Sequence, residues 1–430
     1  MLNEATLQFV SRHTHDDVRM LAFRGCKDPD VDLSLALQQI AGRQTARRKL
    51  PSWAAIDGIV YPPHLNMEQC SSELTARYKA RIVNSCSPES HRLLDLTGGF
   101  GVDFAFMATA FPDTTYVERD EQLCAIATHN FSLLGLTHVP TVCADAESFC
   151  QALSSHQPPS VGEAFIYLDP ARRDTHGGRT YALADCTPNV VTMMPALLAH
   201  ADYVMLKLSP MLDWRKAVAD LAPHHVSQIH IVAVDNECKE LLLLLSHDTS
   251  PLCLTCADIS SRNGSVIYYS PRIARGAYPL ACPPETTVPV ASASPACPPD
   301  GPAHSRYLYE PNAAVMKAGC FHELAADFGI AQISVNSHLF TADRLIDEFP
   351  GRRFRIEAAC SMNKRELRAT LGHLRQANIA VRNFPLSAEQ LRTRLKLSDG
   401  GIDYIFATTL PDNSHILFLC QKAPAASPGA

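Results

Sequence analysis

Several apolar runs in the middle of this chain stop at a carboxylate, and those acids are the residues best placed to do chemistry. Leu93-Leu94 runs into Asp95, Tyr116-Val117 into Glu118, Val139–Val142 leads to Asp145, and Phe165–Leu168 stops at Asp169. A run that ends on an acid aims an acceptor, or a base, beyond its own end. Asp95 is followed by Leu96-Thr97-Gly98-Gly99-Phe100-Gly101. Such a glycine turn lets backbone approach a ligand closely and leaves helix N–H groups free to meet it. Asp169 is followed by Pro170-Ala171-Arg172-Arg173-Asp174. Those arginines can stack on a base or grip a phosphate bidentately, or pair with Asp169 or Asp174 and fix the loop. Lys207 closes another run, Tyr203–Leu208, on the same rim. It could orient a substrate, act as a base, or pair with Asp169. Asp235-Asn236-Glu237, after Ile229–Val234, is open to the same readings.

Strands alternating with helices must carry these ends. From Arg92 onward the runs Leu93-Leu94, Thr115–Val117, Val139–Val142, Phe165–Leu168, Tyr203–Leu208, Ile229–Val234 and Val266–Tyr269 alternate with helical patterns, which predicts a parallel α/β sheet. The last two are joined by Glu237–Leu245, read as a short helical run, and a turn at Asn263-Gly264, and the chain length permits an antiparallel final strand. Ahead of the sheet, residues 1 to about 85 read as helical, with Leu33, Leu37 and Ile40 on one face and a second helix over Glu68–Val83. Residues 278–305 are rich in Pro, Ala and Ser and read as a linker. Beyond it, helices at Ala313–Phe328, Asp343–Phe349, Lys364–Gln376 and Ser387–Leu395 are expected. Strands at Arg353–Glu357, Ile379–Arg382, Asp403–Thr408 and His415–Leu419 complete an α+β domain.

Two readings of the glycine loop compete. As a dinucleotide loop, Gly99 and Gly101 supply two glycines and Glu118 the acid about 20 residues on, but Phe104 stands where the third glycine belongs. The alternative is a resemblance. The loop resembles the first motif of class I methyltransferases, with Asp95 as its acid and Gly99 and Gly101 as its last two glycines; Thr97 replaces the first. Asn130 and Gly135-Leu136 resemble the family's helix end, and Asp169-Pro170 its catalytic motif. The resemblance implies S-adenosyl-L-methionine as cofactor, with Asp95 toward its amino group, Glu118 on the ribose and Asp145 on the adenine. Carboxylates at successive strand ends suit a sulfonium ligand with hydroxyls and amines, and would repel a pyrophosphate. Amine-directed relatives carry a stacking aromatic after the proline pair; here Ala171 and Arg172 stand instead.

The resemblance extends along the chain. Glu68–Glu73, Tyr78-Lys79-Ala80 and Lys49-Leu50-Pro51 with Trp53 resemble the segment before the core of bacterial class I methyltransferases with a THUMP-like domain. Tyr307–Asn312, Asn336–Leu339, Val381–Pro385 and Lys396–Gly401 resemble their C-terminal part. It implies an α/β fold: a Rossmann-like sheet, a helical N-terminal region and a small α+β THUMP-like domain. The expected domains are a helical region at 1–85 and the methyltransferase at 86–275. A Pro-rich linker with a small ferredoxin-like segment follows at 276–320, and the THUMP-like domain at 321–425. THUMP domains belong to RNA-modifying enzymes, so RNA is the implied partner.

The charge distribution agrees with that partner. The net charge is −6, yet between Gly351 and Lys396 eleven cations face three acids. That window is +8, on a remainder of −14. A basic module on an acidic body is the footprint of phosphate binding, although a solvated helical face reads the same way. Arg382 and Lys396 are its candidate contacts. The chain has 15 cysteines without a disulfide framework, and the start lacks a signal-peptide core, so a cytoplasmic home is expected. The lone Cys253-x-x-Cys256, His13 and His15, and His224-His225 lack metal-site spacing, so no metal is expected. The expected function is S-adenosylmethionine-dependent methyl transfer to structured RNA, tRNA or rRNA, with Asp169, Pro170 and Lys207 at the acceptor. The alternatives are a non-catalytic cofactor-binding RNA module, and a methyltransferase of a protein or small molecule.

Overall fold

The computed structural model describes residues 2–86, 92–155, 164–172, 183–248, 250–271 and 305–423, with backbone only at 154, 155 and 172. The proline-rich stretch after 271 and Arg173 lie outside the described residues. The chain forms two compact units, Met1–Ile229 with Glu240–Leu252, and His230–Lys239 with Cys253–Ala430.

The first unit opens with helices whose starts are capped by side chains. Asn3, Asp17 and Asp32 accept the N–H groups of Thr6, Met20 and Leu35, setting the starts of Glu4–His13, Val18–Arg24 and Leu33–Lys49. Pro51 begins the next short helix, where its missing N–H costs nothing. The region expected as one helix over Glu68–Val83 is two, His64–Gln69 and Glu73–Cys86. Ser52 joins them to the preceding helix, donating its N–H and hydroxyl to Glu73 at 2.9 and 2.7 Å.

The sheet follows. Its parallel core is β1 (Arg92–Asp95), β2 (Asp113–Glu118), β3 (Thr141–Cys143) and β4 (Ala164–Leu168), in the order β3-β2-β1-β4. All of β4 is buried, as a parallel strand covered on both faces must be. Tyr203–Leu208 extends the sheet parallel to β4, and Glu237–Ser246 lies antiparallel beyond it.

That last strand corrects the expected helix at Glu237–Leu245. Leu241–Leu245 is apolar on both faces because both faces are buried, so it carries no period to separate helix from strand. The turn decides it. Asp235 and Asn236 take φ of 49° and 64°, the pair of positive values a tight hairpin requires between Val226–Val234 and Glu237–Ser246. Asp235-Asn236-Glu237 is therefore turn chemistry: Asp235 accepts the Ser261 N–H and Asn236 accepts that of Ala313.

In the second unit the hairpin tip is continued by Cys253–Ile259 and Val266–Tyr269. Cys253 is exposed and Cys256 buried on that strand, and no cluster of metal-ligating side chains occurs among the described residues. A second sheet centres on Gly351–Ser361. One edge pairs with Tyr307–Pro311, the other with His415–Lys422, followed by Asp403–Thr409 and Asn378–Arg382. The register shifts between Ile356 and Ala358. Phe354 stands 4.7 Å from Phe406 although their strands are not neighbours, so the sheet bends back over a core of Leu308, Leu339, Phe354, Phe406 and Phe418.

Two helix expectations here also need correction. Ala313–Phe328 is two helices, Ala313–Ala318 and Phe321–Phe328, separated at Gly319 with φ of 67°. Asp343–Phe349 is not helical. The buried Tyr309 hydroxyl donates to the Arg344 carbonyl and accepts the Ile346 N–H, taking backbone groups a helix would have used. Lys364–Leu371 ends five residues before the expected Gln376, and Ala388–Leu395 follows a Ser387 capping box.

Candidate active site

The site is assembled at the C-terminal ends of the parallel strands. Asp95 closes β1, is 1% exposed, and accepts the Thr97 N–H at 3.0 Å. Burial pushes its carboxyl well above the usual range, against that hydrogen bond, and the carboxylates of Asp103, Asp169 and Glu118 push the same way. The turn after it must be glycine for two reasons. A Cβ on Gly98 would lie 2.0 Å from the Tyr116 ring. Gly99 and Gly101 have φ of 55° and 82°, which side chains rarely adopt.

Glu118, at the end of β2, reaches across to this turn. It accepts the Gly99 N–H at 2.8 Å and the Asp120 N–H at 2.9 Å. The Tyr116 hydroxyl donates to the Gly99 carbonyl at 2.5 Å. Asp120 itself caps the helix Glu121–Leu133 through Gln122 and Leu123, as its position suggests. Asp145 follows β3, is exposed, and accepts the N–H and hydroxyl of Ser148, which hold its carboxyl below the usual range.

Asp169 follows β4. Its N–H donates to the Thr97 hydroxyl at 2.6 Å, so the first loop and the fourth strand end are tied by the residue that stands where a glycine is usual. Its carboxylate pairs with the Lys207 ammonium. Burial alone would lower the Lys207 pKa; Asp169, Asp103 and Glu240 override it, and the ammonium is held charged. Pairing is thus the reading of Lys207 that the geometry selects over a free base. Pro170 is buried, and Ala171–Arg172 pairs as a short strand with Cys186–Thr187; the Arg172 side chain and Arg173 lie outside the described residues. Arg382 and Lys396 belong to the second unit.

Beneath the rim lies a charged layer with no counterpart in the sequence reading. Lys79, fully buried, reaches both Glu240 oxygens at 2.8 and 2.7 Å and Asp103 at 3.2 Å. Asp103 also accepts the hydroxyls of Ser71 and Tyr167 at 2.7 and 2.8 Å. Burial would raise the Asp103 pKa, but Lys79 and Lys207 bring it below the usual range; Glu240, more deeply enclosed, is raised by burial. The signal was present: Lys79 and Glu240 each interrupt an apolar face, and a charge in such a place needs a partner. Nothing in the spacing names which partner.

The comparisons agree with this architecture. Residues 307–350 match a ferredoxin-like domain model and residues 351–422 a THUMP domain-like model. A candidate methyltransferase from Porphyromonas gingivalis W83, of known crystal structure, is 28% identical over 99% of this chain and 100% of its own, with a TM-score of 0.78. An uncharacterised S-adenosylmethionine-dependent methyltransferase of Mycobacterium tuberculosis (strain H37Rv) is 23% identical over 77% of this chain and 79% of its own. The ribosomal RNA small subunit methyltransferase J of Legionella pneumophila (strain Lens) is 30% identical over 95 residues, 21% of this chain and 37% of that protein.

The fold and the full-length structural match define a Rossmann-like methyltransferase. More closely, the chain is an S-adenosylmethionine-dependent methyltransferase with a C-terminal THUMP-like domain. The residues present fit the cofactor. The open space at Gly99, where a Cβ would meet only the Thr97 carbonyl at 3.9 Å, admits a ligand. The donor set around it is acidic, which suits a cation bearing hydroxyls and amines.

Proposed function

We propose that the chain methylates RNA, with the Asp169–Lys207 pair facing the acceptor. The pair carries the reading: it is a partly exposed ion pair at a strand end tied to the glycine turn through Thr97. Asp95, Thr97, Gly99, Gly101 and Glu118 would hold S-adenosylmethionine, with Asp145 toward the adenine. When bound, that cofactor supplies an electrophilic methyl group. Asp169 would accept a hydrogen bond from the acceptor's N–H or O–H and orient its lone pair for in-line attack. Lys207, held charged by Asp169, would not take the proton; it would fix the Asp169 carboxylate. The proton would leave to Asp169 or to solvent. Pro170 would set the strand exit, and Arg172 and Arg173 would meet the substrate beside it.

RNA is favoured as the acceptor by the THUMP domain-like match, the partial likeness to a ribosomal RNA methyltransferase, and the cation surplus between Gly351 and Lys396. The test uses the full chain, radiolabelled S-adenosylmethionine, and total RNA from cells with and without the gene. Label should enter only RNA from cells lacking it, and Asp169→Ala should abolish incorporation. Label in protein, or in neither fraction, would sink the RNA reading.

A further inference from the structure

The cation surplus of the second unit is not evenly available. Arg353 pairs with Asp347, Arg355 with Glu357, and Arg392 with Asp399, each one to one. Glu310 is different. Its carboxylate, with the side chain only 4% exposed, is forked between two guanidiniums. One oxygen takes Arg352, through Nε at 2.6 Å and Nη2; the other takes Arg382 Nη2 at 2.6 Å. The arginine side chains remain 44% and 39% exposed. Two cations are therefore pinned on their inner edges by one buried anion, and their outer edges face water with a net charge of +1.

The surroundings hold the pair in place. Arg382 Nη1 donates to the Val381 carbonyl at 3.1 Å, and the Arg352 guanidinium lies 5.6 Å from the Phe354 ring centroid. His338 is close enough for the Arg382 charge to act on it. It has φ of 52°, is stacked on Phe321 at 4.3 Å, and its Nδ1 is buried with no hydrogen-bond partner among the described residues. Burial and Arg382 together hold this imidazole below its usual pKa.

We propose that Arg352 and Arg382, braced by Glu310, form a preorganised seat for one phosphate oxyanion. Two guanidiniums fixed before the ligand arrives lose little rotamer freedom on binding, which a flexible lysine pair cannot match. Resting on the RNA reading above, the seat takes a backbone phosphate of the substrate. Phosphate contacts of this kind position a nucleic acid and carry no sequence information.

The test uses the full chain and two probes. The first is inorganic phosphate, followed by the NMR pH titration of His338. Phosphate should raise the His338 pKa in the wild type and leave it unmoved in the Arg352→Gln/Arg382→Gln variant. The second probe is a labelled 20-nucleotide RNA, followed by anisotropy across a salt series. Each single Gln variant should weaken binding about tenfold, the loss of a charge-assisted contact, and reduce the salt slope by about 1. Arg352→Lys and Arg382→Lys keep the charge and the fold, and should restore the slope but only part of the affinity. RNA binding untouched in both Gln variants, with His338 blind to phosphate, would overturn the seat and leave the RNA reading standing. A phosphate effect at His338 without RNA binding would keep the seat and remove the RNA reading.

Discussion

The Asp169 N–H donates to the Thr97 hydroxyl at 2.6 Å across 72 residues of chain. The residue that departs from the usual glycine loop is therefore a tie between the glycine turn and the end of the fourth strand. Thr97→Gly, which restores the common loop, should weaken binding of S-adenosylhomocysteine about tenfold, the cost of a half-buried N–H left without its acceptor. Thr97→Ser should keep most of the affinity. Calorimetric titration of the variants decides it, and wild-type affinity in Thr97→Gly would make the tie irrelevant.

Glu118 holds the Gly99 N–H as well as standing at the proposed ribose position. Glu118→Ala should lose binding by about a hundredfold, since a charged acceptor is worth about 1.5–3 kcal/mol and the turn loosens with it. Glu118→Gln, which still accepts from Gly99, should fall between. Equal affinities for the two variants would separate the turn from the carboxylate.

Asp95 links affinity and stability in opposite directions. Its folded-state pKa lies above the unfolded value because burial disfavours the charge. Its contribution to stability is therefore present at pH below the unfolded pKa and is lost as pH rises through the folded one. Asp95→Asn should raise the melting temperature of the free protein at neutral pH by a few degrees. The same carboxyl must ionise to meet a cationic amino group, so cofactor affinity should rise with pH, at most tenfold per unit, and level off once Asp95 is ionised in the free protein. In Asp95→Asn affinity should be low and that rise absent. Parallel calorimetry and melting across pH would reveal either failure.

How much of this was legible beforehand depends on the residue. Asp95, Glu118, Asp145 and Asp169 declare themselves because each terminates an apolar run, and a strand end is visible in one dimension. Glu237–Ser246 does not, since a strand buried on both faces has no alternation to read. The Lys79–Glu240 contact joins residues 161 apart, and no spacing rule reaches so far. Arg382 stands out in the sequence by its charge, but its fork with Arg352 on Glu310 joins strands far apart in the sheet order.

The Lys79–Glu240 pair has its own prediction. Lys79→Met alone removes the cation that both Glu240 oxygens accept from, leaves Asp103 to Lys207, Ser71 and Tyr167, and should cost about 3–5 kcal/mol. Lys79→Met with Glu240→Leu should cost much less than the sum of the single changes. Urea unfolding of the three variants gives the coupling, and additive losses would mean the two charges stand independently.

Lys207→Met should lower turnover about a hundredfold while changing S-adenosylhomocysteine affinity only a few-fold, because it releases the Asp169 carboxylate without touching the glycine turn. The wild-type rate should show no loss of activity up to pH 9 from deprotonation of Lys207, which its carboxylate neighbours keep charged. A large loss of cofactor affinity in the variant would place Lys207 in the cofactor pocket.

The two C-terminal matches meet between Pro350 and Gly351, at the first residue of a strand whose one edge pairs with Tyr307–Pro311 and whose other edge pairs with His415–Lys422. That boundary is a line in sequence and a seam of shared backbone in space. Severed there, residues 351–422 would present an open strand edge to every other copy in solution, a template for aggregation. The ferredoxin-like segment is thus the cover of that edge.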